Sequence, residues 1–205
     1  MKILLTGFEP FGNQKVNVSY EAIKGIDTTL FDAQLIKACV PTVFHQSIDY
    51  VKELILKHQP DIICLIGEAG GSQSMLLERV AINMDDARIP DNLGNQPIDQ
   101  VIVVGGQNAY FSTLPIKACL KDLKEKDIKA TISNSAGTYV CNHLMYGVLE
   151  FLDQTPALSH IKAGFIHVPL YEDQVKEHPD QPYMPLKTII YGLETVINTF
   201  IKHHL

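Results

Sequence analysis

The sequence predicts an α/β protein, a three-layer α/β/α sandwich around a mostly parallel, mixed central sheet. Two observations predict it. Short apolar runs without polar alternation recur along the chain, as strands buried on both faces require. Between several of them, stretches of about three turns carry apolar residues at helical spacing.

The elements follow in order. Lys2–Thr6 is a compact apolar run closed by Gly7, the pattern of a buried strand. Similar runs at Ala33–Val40, Asp61–Ile66, Val101–Val104, Lys129–Ile132 and Gly164–Val168 predict further strands. Leu76–Met84 reads as one more, with Glu78 in the same parity as Val80, Ile82 and Met84. Helices are predicted over Ser47–His58, where Ile48, Val51, Leu54 and Ile55 form a stripe, and over Pro115–Lys126, where Ile116, Cys119, Leu120 and Leu123 do. Asn142–Leu152 and Leu186–Ile201 repeat the pattern. In such sheets ligands bind beyond the carboxyl ends of the strands. That rule points to Gly7–Gly12, Gly67–Gly71, Gly105–Gly106, Ser133–Thr138 and His167–Leu170.

Composition narrows the function. The 205 residues, with no visible linker or repeat, predict a single catalytic domain over 1–205. A net charge of −6 and the lack of a basic run argue against nucleic acid as a partner. The apolar run at the N-terminus is too short for a signal peptide or anchor, and no stretch has a membrane span's length. Cys39, Cys64, Cys119 and Cys141 are widely spaced, without CxxC or zinc-ligand spacing. Reduced thiols in the cytoplasm are therefore expected.

The residue with the most chemistry is Cys141. The run Lys129–Ile132, the small-residue turn Ser133–Thr138 and a helical pattern starting around Tyr139 to Cys141 put a thiol in the first turn of a helix. Unpaired N–H groups and the helix dipole favour an anion there, and the thiolate is the form that attacks carbonyls. A small buried apolar cysteine fits the same position.

A thiol nucleophile needs a base, and the base an orienting group. Most of the eight histidines are poorly placed. His143 points about 200° round the helix from Cys141, while His58, His160, His178, His203 and His204 sit at helix ends, in loops or in the tail. His45 remains possible. His167, at the carboxyl end of its strand before Pro169, faces the predicted rim, either as a base or as a neutral structural histidine. Glu78, continuing an apolar face, is costly to bury unless an imidazolium pairs with it, or else keeps its head in water.

Other motifs fail. Gly7–Gly12 has P-loop glycine spacing, but Asn13-Gln14 follows where Lys and Ser/Thr are required. Gly67–Gly71 lacks GxGxxG, and GxSxG is absent, which leaves Ser135 a weak nucleophile. The clustered Asp85, Asp86, Asp91 and Glu78 do not define a metal site. Phe8 and Phe11 on a rim loop suit the walls of an apolar slot for a flat, uncharged ligand.

Taken together, these segments resemble pyroglutamyl peptidase I, a cysteine peptidase family. Gly7-Phe-x-Pro-Phe-Gly12, Gly67-x-Ala-Gly-Gly71, Glu78–Asn83, Asp86–Asn92, Gln96-Pro97, Tyr110–Pro115, Ser135–His143 and Gly164–Pro169 match in the same order. The resemblance implies an α/β/α enzyme, usually a homotetramer, that removes an N-terminal pyroglutamyl residue from peptides and needs no metal or organic cofactor. It implies Cys141 as nucleophile, His167 as general base and acid, and Glu78 as the orienting carboxylate. Phe8 and Phe11 would hold the lactam, with Thr42, Ile89, Tyr139 and Val140 completing the pocket and Arg88 close to the catalytic group. Two residues depart from the family pattern: Glu68 stands where Gln is common, and Ser72 where Arg is. Glu68 can accept the lactam N–H as Gln would, or can oppose the thiolate as a like charge. Tyr139 in place of Phe adds a hydroxyl to the pocket wall.

Overall fold

The computed structural model describes the chain except Asn13, residues 177–179 and Leu205. His178 therefore lies outside the described residues. The strands are β1 Lys2–Phe8, β2 Gln34–Val40, β3 Ile62–Glu68, β4 Met75–Glu78, β5 Val80–Ile82, β6 Ala109–Phe111, β7 Ala130–Ser133 and β8 Lys162–Val168. The helices are α1 Val18–Gly25, α2 Gln46–His58, α3 Ile116–Glu125, α4 Val140–Gln154 and α5 Leu186–His204.

Six strands form one sheet in the order β2-β1-β3-β8-β4-β7. The first four run parallel, and β4 and β7, parallel to each other, oppose them across the antiparallel β8–β4 pair. The sheet is thus mostly parallel, as the apolar runs predict, and mixed through the β8–β4 pair. Strand parity sorts its side chains into two cores. Ile3, Leu5, Ile62, Cys64 and Ile66 pack with residues of α1, α3 and α5. Leu4, Ile63, Leu65, Ala163 and Phe165 pack on the other face with α2 and α4. These are the three layers.

Two predicted strands change. Val101–Val104 is no buried strand: Val101 and Val104 are exposed at 53% and 89%. The Asn83 side chain takes the ladder's place, donating from Nδ2 to Val103 O at 2.8 Å and accepting from Val103 N–H at 2.9 Å. The predicted strand Leu76–Met84 breaks at Arg79 into β4 of the main sheet and β5, which pairs with β6 in a separate hairpin. Glu78 therefore does not continue the face of Val80 and Ile82. It is buried by the main sheet, where it pairs with Phe165. Helix α1 has no counterpart in the predicted elements.

Only glycine fits at position 7, where β1 passes under α1. A Cβ there would lie 2.6 Å from Tyr20 N and 2.7 Å from Ser19 C, both backbone atoms that cannot swing aside. Gly7→Ala is expected to destabilise the fold by about 2 kcal/mol or more through overpacking. A denaturant midpoint equal to wild type would contradict this close approach.

Candidate active site

The sheet topology brings a thiol, an imidazole and a carboxylate together. His167 and Glu78 lie on adjacent antiparallel strands, with Leu76 opposite His167 and Glu78 opposite Phe165. They are diagonal neighbours on one face, a separation that long side chains can bridge. His167 Nδ1 lies 2.8 Å from Glu78 Oε1. Glu78 is fully buried, His167 is 7% exposed, and Glu78 Oε2 has no partner among the described residues. The carboxylate takes one imidazole nitrogen and leaves Nε2 for Cys141.

Cys141 arrives by a different route from the rim rule. Because β7 runs against β1, β3 and β8, residues 134–139 must fold back to start α4 over the sheet face. Gly67 is the parallel partner of His167, and its missing side chain leaves room for the thiol. A Cβ there would fall 3.0 Å from Cys141 Sγ and 2.6 Å from Phe165 Cζ. The N-terminus of α4 has no side-chain cap, and His143 N–H makes the first helical bond, to Tyr139 O at 3.0 Å. The N–H groups of Val140, Cys141 and Asn142 are thus outside the helical ladder, in the same turn that carries the thiol.

The electrostatics of His167 are decided by its neighbours. Burial opposes its charged form, but Cys141 and Glu78 outweigh that and push its pKa up to about 10. A protonated imidazole beside the thiol gives a thiolate its counter-charge.

A cavity of about 150 Å³ opens on the sulfur. Phe8, Phe11, Thr42, Glu68, Tyr139 and Val140 line it with Cys141 and His167. A void of this size takes a ring as large as benzene. The structure does not bring Arg88 or Ile89 into that lining. Arg88 is exposed, and both lie on the adjoining loop, which the Tyr139 hydroxyl reaches through Pro90 O at 3.0 Å. His45 is exposed at the start of α2 and is not in the lining. Of the rim segments, Gly106 lies against the Tyr146 hydroxyl in the body of α4 instead.

Sequence reasoning missed Asn17 and Ala136, which also line the cavity. Asn17 caps α1 by accepting from Ser19 N–H at 3.0 Å, and its Nδ2 donates to Glu9 O at 3.2 Å. An Asn before the pattern of α1 was the available signal. Gln174 was missed as well: with Val18 N–H it holds Glu68 Oε2, at 2.6 and 3.3 Å. Burial raises the Glu68 pKa even though both bonds favour its charge. Among the described residues no group of three or more His, Cys, Asp or Glu side chains converges as a metal site.

An α/β/α sandwich that sets a thiol at a helix N-terminus against a carboxylate-bound imidazole defines a cysteine-type hydrolase. The pyroglutamyl peptidase family model matches residues 1–203, and the chain belongs to that family. It is 50% identical to the pyrrolidone-carboxylate peptidase of Thermosipho africanus, over 100% of this chain and 98% of that one. It is 51% identical to the Thermosipho melanesiensis protein of that name, over 94% and 95%. The crystal structure of pyroglutamyl peptidase I from Bacillus amyloliquefaciens superposes with a TM-score of 0.94 at 43% identity, covering 99% of this chain and 98% of that one. Pyrrolidone carboxyl peptidase from Pyrococcus furiosus gives 0.94 at 37% identity, with full coverage of both chains.

Proposed function

We propose that Cys141, His167 and Glu78 carry out the activity of this family in the chain: hydrolysis of the bond after an N-terminal pyroglutamyl residue. The chain is a cysteine-type omega peptidase by its family membership. The observation that carries the residue assignment is that Cys141 and His167 both line a small, largely apolar cavity while Glu78, buried behind it, holds His167 Nδ1.

The mechanism follows from the geometry. The Cys141 thiolate attacks the pyroglutamyl carbonyl carbon, and backbone N–H groups at the start of α4 stabilise the oxyanion. The tetrahedral intermediate collapses, its C–N bond breaks, and the amine leaves with the proton of His167 Nε2. Neutral His167 then takes a proton from water, which attacks the thioester and releases pyroglutamate and the thiolate. Glu78 holds Nδ1–H throughout and fixes the ring's orientation.

Selectivity follows from the cavity. A pyroglutamyl group carries no ammonium charge, so Phe8, Phe11, Tyr139 and Val140 can enclose the lactam with few polar contacts. A free N-terminal amine would have to shed its hydration there. Release of a chromophore from a pyroglutamyl amide, but not from a prolyl amide, is the test. No release from the pyroglutamyl amide between mildly acid and mildly alkaline pH would sink the peptidase assignment.

Glu68 modifies this site. Its Oε2 is committed to Gln174 and Val18, and its charge faces the thiolate's cavity. Glu68→Gln is therefore expected to move the acid limb of the kcat/KM profile to lower pH. An unchanged limb would remove Glu68 from the charge balance of the site.

The chain is further proposed to act as one catalytic domain in a cytoplasmic homotetramer. Exposed Ile98, Val101, Val104 and Phe111 supply apolar surface for self-association, and the sedimentation mass tests it. Four free cysteines suit a reducing compartment, which cell fractionation tests. No described helix is long and apolar enough to cross a membrane.

A further inference from the structure

His143 and Asp85 are buried titratable side chains that the chemistry at Cys141 does not use. His143 is 0% exposed and Asp85 3%, and His143 Nδ1 lies 2.7 Å from Asp85 Oδ2. The other ring nitrogen has a partner that fixes the tautomer. The backbone N–H of His45 donates to His143 Nε2 at 2.8 Å. A nitrogen that accepts carries no proton, so Nδ1 carries it and donates to Asp85. The ring is a neutral imidazole held between a carboxylate and a main-chain donor.

The main-chain donor belongs to a strained residue. His45 has φ 60° and ψ −52°, and it begins α2 without a side-chain cap. Such a conformation persists only where the surroundings hold it. Its turn starts at Thr42 on the cavity wall and passes through Phe44, whose ring stands edge-on to both Tyr139 and His143.

Asp85 begins the 85–92 segment, which lies outside the cavity lining and meets its wall residue Tyr139 through Pro90 O. One residue on, Asp86 N–H donates to Thr138 O and Thr138 Oγ1 donates back to Asp86 O, at 2.9 and 2.8 Å. Further along, Asp91 Oδ2 accepts from Phe44 N–H at 2.9 Å. His143 is thus the point at which the first turn of α4, the Thr42–His45 turn and the 85–92 segment meet.

We propose that His143 and Asp85 form a positioning pair that sets the width of the lactam cavity by holding the Thr42–His45 turn and the 85–92 segment against the first turn of α4. Neither His143 nor Asp85 lines the cavity. The inference rests on the peptidase assignment for what the cavity takes, and on the geometry alone for the pair itself. Glu78 and His167 are anchored separately on β4 and β8, so loosening the pair acts on binding more than on chemistry.

Asp85→Asn tests it. The amide can donate to Nδ1, which moves the imidazole proton to Nε2 and sets it against the His45 N–H. The expected result is a rise of about tenfold in KM for a pyroglutamyl amide, the scale of one lost charge-assisted hydrogen bond, with kcat within about threefold of wild type. His143→Gln, whose amide offers a donor and an acceptor, is expected to lie closer to wild type than His143→Leu in both KM and melting temperature.

Alkylation of Cys141 by iodoacetamide, followed by intact mass, gives a readout independent of turnover. 2-Pyrrolidone should protect wild type, and Asp85→Asn should need about tenfold more of it. That shift in a protein that hydrolyses no pyroglutamyl amide would sink the peptidase assignment and leave the positioning pair standing. Absent protection of wild type, an unchanged KM and protection curve in Asp85→Asn, or a loss confined to kcat, would each overturn the pair's role.

Discussion

Cys141→Ser is expected to lower kcat/KM for a pyroglutamyl amide by about ten-thousandfold or more while leaving the melting temperature near that of wild type. The magnitude is that of removing the nucleophile from a nucleophile–base unit, whose members act together rather than additively. A serine hydroxyl at this position would have to give up a proton that a thiol gives up far more readily. The fold is expected to survive because Cys141 is only partly buried and the swap is nearly isosteric. Cys64 and Cys119 offer no rescue. Both are buried, and burial pushes the Cys119 thiol up to about 12 and the Cys64 thiol higher still. Retained activity in the Ser variant would remove Cys141 from the chemistry.

Glu78→Gln has the second largest expected effect, a loss of about a hundredfold to ten-thousandfold in kcat/KM, the range set by triads whose orienting carboxylate becomes an amide. The amide can donate to Nδ1 and leave the wrong tautomer facing the thiol. It also removes a charge that helps keep the His167 proton on the ring. The sign is determined by the direction of the shift. The His167 pKa is raised from 6.5 to about 10, so the protonated form and the stability it brings are full below about 6.5 and lost as pH rises through about 10. The wild-type basic limb is therefore expected well into the alkaline range. In Glu78→Gln that limb should move towards neutral pH, and stability should become less sensitive to alkali. A variant with wild-type rate and limb would show that Glu78 merely fills space.

Much of this was legible because the physics is local. Apolar runs without alternation give a sheet covered on both faces, and β1, β3 and β8 obey the pattern along almost their whole length. The strand–turn–helix pattern around Cys141 likewise specifies α4 without knowledge of the rest of the chain. Failures came where pairing decides. Val101–Val104 has strand composition, but a single asparagine side chain satisfies Val103 and, among the described residues, no strand pairs with it. The parity that singles out Glu78 in the sequence holds only for one continuous strand. The structure breaks that strand at Arg79, and Glu78 is buried because it lies diagonal to His167 across the antiparallel β4–β8 pair. The direction of β7, and with it the path of residues 134–139 back to the sulfur, depends on strand order, which no local pattern encodes. Ala136 and Gln174 are invisible for the same reason, whereas Asn17 carries a local cap signal.

The mechanism requires Cys141 to take the pyroglutamyl group covalently. An activated pyroglutamyl ester, for which thioester hydrolysis is the slow step, should load the enzyme during turnover. After an acid quench, peptide mapping is expected to find one pyroglutamyl group on the peptide containing Cys141, absent in Cys141→Ser. Acylation of any other residue, or turnover of the ester with no adduct at Cys141, would contradict the account.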